Sequence, residues 1–186
     1  MDIALVQEPI FYQSRIKGIK SCYRTYAYGK EKSRAAIIIP NDALNAIMIT
    51  QCSENDTVLL EIKMGQEIFH AASALMEYND AIENSLRKIE KLLKFTRGVK
   101  FINAVDRNSM STAWHDVTTN VRGTLLEEFI LSNQLQIINE ESGRTIFHIT
   151  RGQSNIDITI TDIKILTATD KLEISEKEIA SNHNII

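Results

Sequence analysis

Apolar runs of strand length recur along almost the whole of this 186-residue chain, while only two segments carry the three- and four-residue spacing of an amphipathic helix. Ile3 to Gln7, Ala35 to Ile39, Ala46 to Gln51, Thr57 to Lys63 and Ile68 to Met76 read as strands, and polar turns between the middle three predict an antiparallel meander. The clearest helix runs from Asp80 to Phe95, with Ile82, Leu86, Ile89 and Leu93 on one stripe, Asp80 as N-cap and Glu83 at N3. Val99 to Val105 then reads as a buried strand that ends at Asp106. A second helix opens at Thr124-x-x-Glu127, a capping-box pattern, and stops near Asn133. Further strands fall at Leu135 to Asn139, Thr145 to Thr150 and Asn155 to Thr161. With no linker, repeat or low-complexity tract, and 44% hydrophobic residues, residues 1–186 read as one α/β domain built on a mixed or antiparallel sheet core.

Composition removes several function classes. No apolar stretch approaches a bilayer span, and the N-terminus lacks the basic and apolar regions of a signal peptide, so an intracellular protein with no membrane partner is expected. Cys22 and Cys52 have neither metal-site spacing nor a CxxC arrangement, and read as reduced thiols. A formal charge of −3 carries no overall basic excess, so contact with a polyanion has to be local, through Arg15, Lys17, Lys20, Arg24 or Arg151, or through a bound cation.

Polar clusters sit where these strands end. Glu8 closes Ile3 to Gln7; Asp106-Arg107-Asn108 follows Val105, with Trp114 six residues beyond Asn108; Ser154-Asn155-Ile156-Asp157 lies inside a strand-like run; Ser181-Asn182-His183 lies near the C-terminus. Converging at one sheet rim, such a set suits metal-assisted phosphodiester cleavage, which needs a cation on the phosphate and a group that positions and deprotonates water. Glu8 suits a hard-cation ligand, Asp106 a proton acceptor, Asn108 a donor, and His183 a proton-transfer group oriented by Asp157. Each has a plain alternative: a turn-capping carboxylate for Glu8, an Asx turn for Asp106 and Asn108, and a surface position for His183. The alternation of Ile156, Ile158 and Ile160 against Asp157, Thr159 and Thr161 leaves Asp157 on the polar face, and pattern alone favours solvent there over a site. Trp114 reads as packing a loop on the core, and His70, His115 and His148 as structural.

The ordered set resembles the endonuclease/exonuclease/phosphatase (DNase I-like) superfamily, above all the apurinic-type endonuclease domain of arthropod non-LTR (LINE-type) retrotransposons. The resemblance is carried by Asp2 to Pro9, Asp106 to His115, Arg122-Gly123, Thr145 to Phe147, Arg151 to Asp157 and Ser181 to His183. It implies a four-layer α/β sandwich of two packed mixed sheets flanked by helices. It also implies Mg²⁺ (or Mn²⁺) as cofactor, double-stranded DNA as partner, a reverse transcriptase domain in a longer polyprotein, and nuclear action. Glu8 then looks like the metal ligand, Asp106, Asn108, Asp157 and His183 like catalytic residues, and Arg151, Ser154 and Asn155 like contacts to phosphate or DNA.

Departures from the family are specific. Its usual first strand and helix have no counterpart ahead of Ile3, and the chain stops at Ile186 within what reads as the final strand, so truncation at both ends is expected. Leu75 stands where a tyrosine is common, and Asn182 where an aspartate is. These departures imply impaired DNA nicking. The alternatives are a catalytically silent retroelement remnant that at most binds nucleic acid or another protein, and a small phosphoester as substrate.

Overall fold

Strands and helices alternate much as the apolar runs predict in the computed structural model, which describes residues 3–139, 147–149, 152–154 and 157–166. The first half holds β1 (Ala4–Gln7), β2 (Phe11–Tyr12), β3 (Arg15–Ile16), β4 (Arg24–Ala27), β5 (Ala35–Ile39), β6 (Asn45–Met48), β7 (Thr57–Met64) and β8 (Glu67–Leu75). Then come α1 (Ile82–Thr96), β9 (Lys100–Asp106), α2 (Val121–Ser132) and β10 (Gln136–Ile137). β11 (Phe147–Ile149), β12 (Gly152–Ser154), β13 (Asp157–Thr161) and α3 (Ile163–Leu166) complete the described elements. Among the described residues, no helix is long and apolar enough to cross a membrane, and both cysteines are free.

The strands form a three-stranded antiparallel sheet, β1-β5-β4, and a six-stranded mixed sheet, β10-β13-β9-β8-β7-β6. In the larger sheet β8 and β9 are parallel, and α1 supplies the crossover that such a pair requires. The expected meander is displaced by one strand. β5 belongs to the smaller sheet, and it is β6, β7 and β8 that pair consecutively and antiparallel. Local pattern identifies a strand without identifying its partner.

The residues of β5 explain its place, because all five are buried. Ala35, Ile37 and Ile39 pack with Val58, Leu60, Ile62 and Ala71 of the larger sheet, whereas Ala36 and Ile38 pack under Ile16, Phe11 and Tyr23 on the opposite side. A strand apolar on both faces is stable only when covered on both. On the far side of the larger sheet, Ala74, Val105, Ile158 and Ile160 meet Ile82 and Ile89 of α1 and Leu126 and Ile130 of α2. Four layers result, as the expected sandwich requires, with the β2–β3 hairpin rather than a helix over the smaller sheet among the described residues.

Both helices start elsewhere than the capping patterns suggest. The N-cap of α1 is Ala81, and Asp80 instead accepts from Ala81 N and Asn84 Nδ2, each at 2.9 Å. α2 begins three residues before Thr124, because Asn120 Oδ1 accepts from Gly123 N at 2.7 Å. Glu127 is drawn away from a capping box by the hydroxyl of Ser111.

Gly123 has a steric reason. A Cβ there would lie 1.9 Å from Met110 O, so the 108–120 loop rests directly on the first turn of α2. Helix propensity alone predicts that Gly123→Ala stabilises by about 1 kcal/mol. The close approach reverses the sign, and a loss of roughly 2 kcal/mol is expected in urea denaturation, the range of overpacked sites.

Candidate active site

Alternation along β8, β9 and β13 sends one set of side chains toward the helices and the other into the space between the sheets. In that space Gln7 Nε2 donates to Ser73 Oγ at 2.9 Å and Ala104 O at 3.1 Å, while Ser73 Oγ donates to Val6 O at 2.8 Å. These bonds tie the end of β1 to β8 and β9. They fix where the chain emerges as Glu8.

Glu8 takes a left-handed conformation, φ 49°, as β1 ends, and Asn108 takes one, φ 47°, just beyond β9. Asparagine tolerates this region, but for a glutamate it costs about 1–2 kcal/mol and marks a position that the surroundings over-determine. Glu8 N donates to Arg34 O at 2.8 Å, and Arg34 Nη2 donates to Glu8 Oε1 at 2.7 Å. Arg34 also pairs with Glu77, so one guanidinium bridges two carboxylates at the rim. Glu77 is carried on a turn that Arg122 holds, donating to Glu77 O at 3.0 Å and Asp80 O at 2.6 Å.

Asp106 and Asp157 are directly opposed cross-strand partners on β9 and β13. Opposed residues on neighbouring strands share a face, with Cβ atoms about 5 Å apart. Both are buried, at 3% and 9% exposure, which overturns the expectation that Asp157 faces solvent. Strand periodicity distinguishes two faces but not water from a second sheet. Asp106 O accepts from Met76 N at 2.7 Å, and Asn108 Nδ2 donates to Met76 O at 3.0 Å, so the β9 exit is laced to the end of β8. Leu75, the β8 residue in register with Asp106, is buried beside it.

Next to Asp106 in the chain lies a residue to which sequence reading assigns no role. Arg107 is fully buried; its guanidinium stacks 4.2 Å from the centre of the Trp114 ring and pairs with Asp116 at 3.5 Å. Burial pushes its pKa down to about 9, against the opposing charges of Asp116, then Asp157 and Asp106. It remains a cation at neutral pH, held by the charges of these carboxylates. Trp114 is buried in the core beneath this loop, in keeping with its packing role.

Glu8, Asp106, Asn108 and Asp157 are thus carried on the ends of β1, β9 and β13, together with Arg34 and Arg107, which the sequence patterns do not flag. Arg151, Asn155, Asn182 and His183 lie outside the described residues, and Ser154 is described only as the end of β12. Among the described residues no group of three or more His, Cys, Asp or Glu side chains is gathered as a metal cage. Two part-exposed carboxylates, Glu8 and Glu77, stand at the rim, both paired with Arg34. Such a donor set fits Mg²⁺, which commonly takes one or two protein carboxylates and completes its shell with water and substrate phosphate.

The arrangement has relatives. A family model described as endonuclease-reverse transcriptase matches residues 69–186. A retrovirus-related Pol polyprotein from the type-1 retrotransposable element R1 of Bradysia coprophila is 26% identical, over 68% of this chain and 13% of its own length. A putative 115 kDa protein in element R1DM of Drosophila melanogaster is 24% identical, over 98% of this chain and 18% of its own length. This chain therefore spans less than a fifth of the curated relatives it matches. Among solved structures, the endonuclease domain of TRAS1, a telomere-specific non-LTR retrotransposon, superposes with a TM-score of 0.86 at 26% identity, covering 98% of this chain and 83% of that one. The AP endonuclease LMAP from Leishmania major has the same fold, with a TM-score of 0.71 at 9% identity over 98% of this chain and 76% of that one.

Proposed function

Because this chain belongs to the endonuclease-reverse transcriptase family, we propose that its DNase I-like, endonuclease-like domain nicks double-stranded DNA by metal-dependent hydrolysis of a phosphodiester. The observation that supports this best is the opposed, buried Asp106–Asp157 pair beside the rim carboxylate Glu8. In this reading Glu8 holds Mg²⁺ or Mn²⁺, which when bound neutralises charge on the phosphate. Asp106 accepts the proton of the attacking water, and the amide of Asn108, held by its bond to Met76 O, orients the phosphate or that water. Water adds to phosphorus, one P–O ester bond breaks, and the departing oxygen takes a proton; His183 is the proposed donor, with Asp157 orienting it. Arg151, Ser154 and Asn155 are the proposed contacts to the strand being cut. The family's description as endonuclease-reverse transcriptase supports a reverse transcriptase elsewhere in the same polypeptide, and nicking of chromosomal DNA would place the domain in the nucleus.

Two observations support a second reading, reduced or absent catalysis with nucleic-acid binding retained. Arg34 already occupies Glu8, so a cation has to displace it, and apolar Leu75 lies beside Asp106. Relaxation of supercoiled plasmid with Mg²⁺ or EDTA separates the two. The cleavage reading expects nicking only with metal, weakened at least tenfold by Glu8→Gln. Metal-independent nicking, or a Glu8→Gln variant as active as the parent, would exclude Glu8 as a ligand; a folded protein with no nicking at all favours the second reading.

A further inference from the structure

Immediately after Glu8 the composition changes. Pro9 to Lys30 contains five of the chain's cations, Arg15, Lys17, Lys20, Arg24 and Lys30, and five of its twelve aromatic residues, with no aspartate or glutamate. This segment carries +5 against −3 for the whole chain, which leaves −8 on everything else. Interleaved cations and aromatics of this kind suit a phosphate backbone with unstacked bases.

The structure separates the residues used for folding from those left facing outward. Arg24 donates to the carbonyls of Asn41 and Leu44, and Tyr26 donates to Ala46 O at 3.1 Å. Arg15, Lys17 and Lys20 are exposed and form no ion pair among the described residues. The nearby acid, Glu31, is engaged at the hairpin turn, accepting from Ser14 N at 2.8 Å and Ser14 Oγ at 3.3 Å. Ile16, buried against Ala36 and Ile38, anchors the hairpin to the smaller sheet. Between hairpin and sheet lies an open cavity of about 290 Å³, lined by Phe11, Arg15, Ile19, Lys20, Tyr23 and Thr25 among others. Lys20 Nζ sits 5.8 Å from the centre of the Tyr23 ring, at the edge of cation–π range.

We propose that this cavity and the three exposed cations around it form a binding site for single-stranded nucleic acid. Arg15, Lys17 and Lys20 take successive phosphates, and one unpaired base enters the cavity against Phe11 and Tyr23. A base within a duplex presents no free face to such a cavity, so the site selects single strands. It needs neither metal nor hydrolysis, and therefore stands or falls separately from the cleavage reading.

Fluorescence anisotropy of a labelled twelve-nucleotide oligo(dT), in EDTA across a salt series, tests it. Comparisons are the same length of abasic strand, a twelve-base-pair duplex, the Arg15→Ala/Lys20→Ala variant, and Lys63→Ala as an exposed cation elsewhere. Counterion release of about 0.7 per phosphate gives roughly fivefold weaker binding at 0.1 M salt for each cation lost. The double variant should therefore bind about 25-fold more weakly with a shallower salt slope, Lys63→Ala should bind as the parent does, and the parent should prefer oligo(dT) to both abasic strand and duplex. Equal binding of oligo(dT) and abasic strand or duplex overturns the proposal, as does a double variant that melts like the parent and binds undiminished.

Discussion

Replacing Asp106 by asparagine is expected to lower plasmid nicking by on the order of 10²–10³-fold while leaving the melting temperature within a few degrees of the parent. The two carboxylates at the end of β9 and the start of β13 are opposed and buried, and both act electrostatically on Arg107. Asparagine preserves the volume at residue 106 and relieves repulsion with Asp157, so packing has little reason to fail. What it removes is the lone-pair set that accepts a proton from water, and an amide cannot replace it. A loss of activity with the fold retained assigns Asp106 to the chemistry. Nicking at the parental rate would show that residue 106 serves the sheet only and that another group deprotonates water. Because coupled catalytic losses do not add, Asp157→Asn combined with Asp106→Asn should cost little more than the more severe single change.

Much of this architecture was legible in the residues, for reasons that differ from element to element. β5, β7 and β9 are runs whose apolar content leaves few alternatives to a covered strand, and the stripe on α1 is regular. Pairing was not legible in the same way: β5 and β6 are neighbours in sequence but belong to different sheets, since pairing is decided by which surfaces need cover. The alternation around Asp157 pointed to solvent for a related reason, because a polar face may meet either water or a second sheet. The family resemblance is upheld by the comparisons with the R1 relatives and the TRAS1 fold. Arg34 and Arg107 had no periodic signature. For Arg107 the usable signal was local, a cation followed within ten residues by the lone tryptophan and by Asp116. For Arg34 only the fold brings Glu8 and Glu77 to the same guanidinium.

Arg107→Met should destabilise the domain by about 3–5 kcal/mol, the range for removing one member of a buried ionic group. The size follows from what is left behind. Asp116, Asp106 and Asp157 would retain their burial and lose the cation that compensates them, and the Trp114 face would lose its stacked guanidinium. Yet the guanidinium itself is held at a cost, since burial pulls its pKa down to about 9 in spite of three attractive carboxylates. An ionic group costly to bury intact and more costly to halve predicts a particular double-mutant result. Asp116→Leu added to Arg107→Met should recover part of the loss, because it removes the carboxylate that paired with the lost guanidinium. Urea unfolding of the four proteins of this cycle at neutral pH measures the coupling. If the two changes are additive, Arg107 contributes through packing on Trp114 and not through its pair with Asp116.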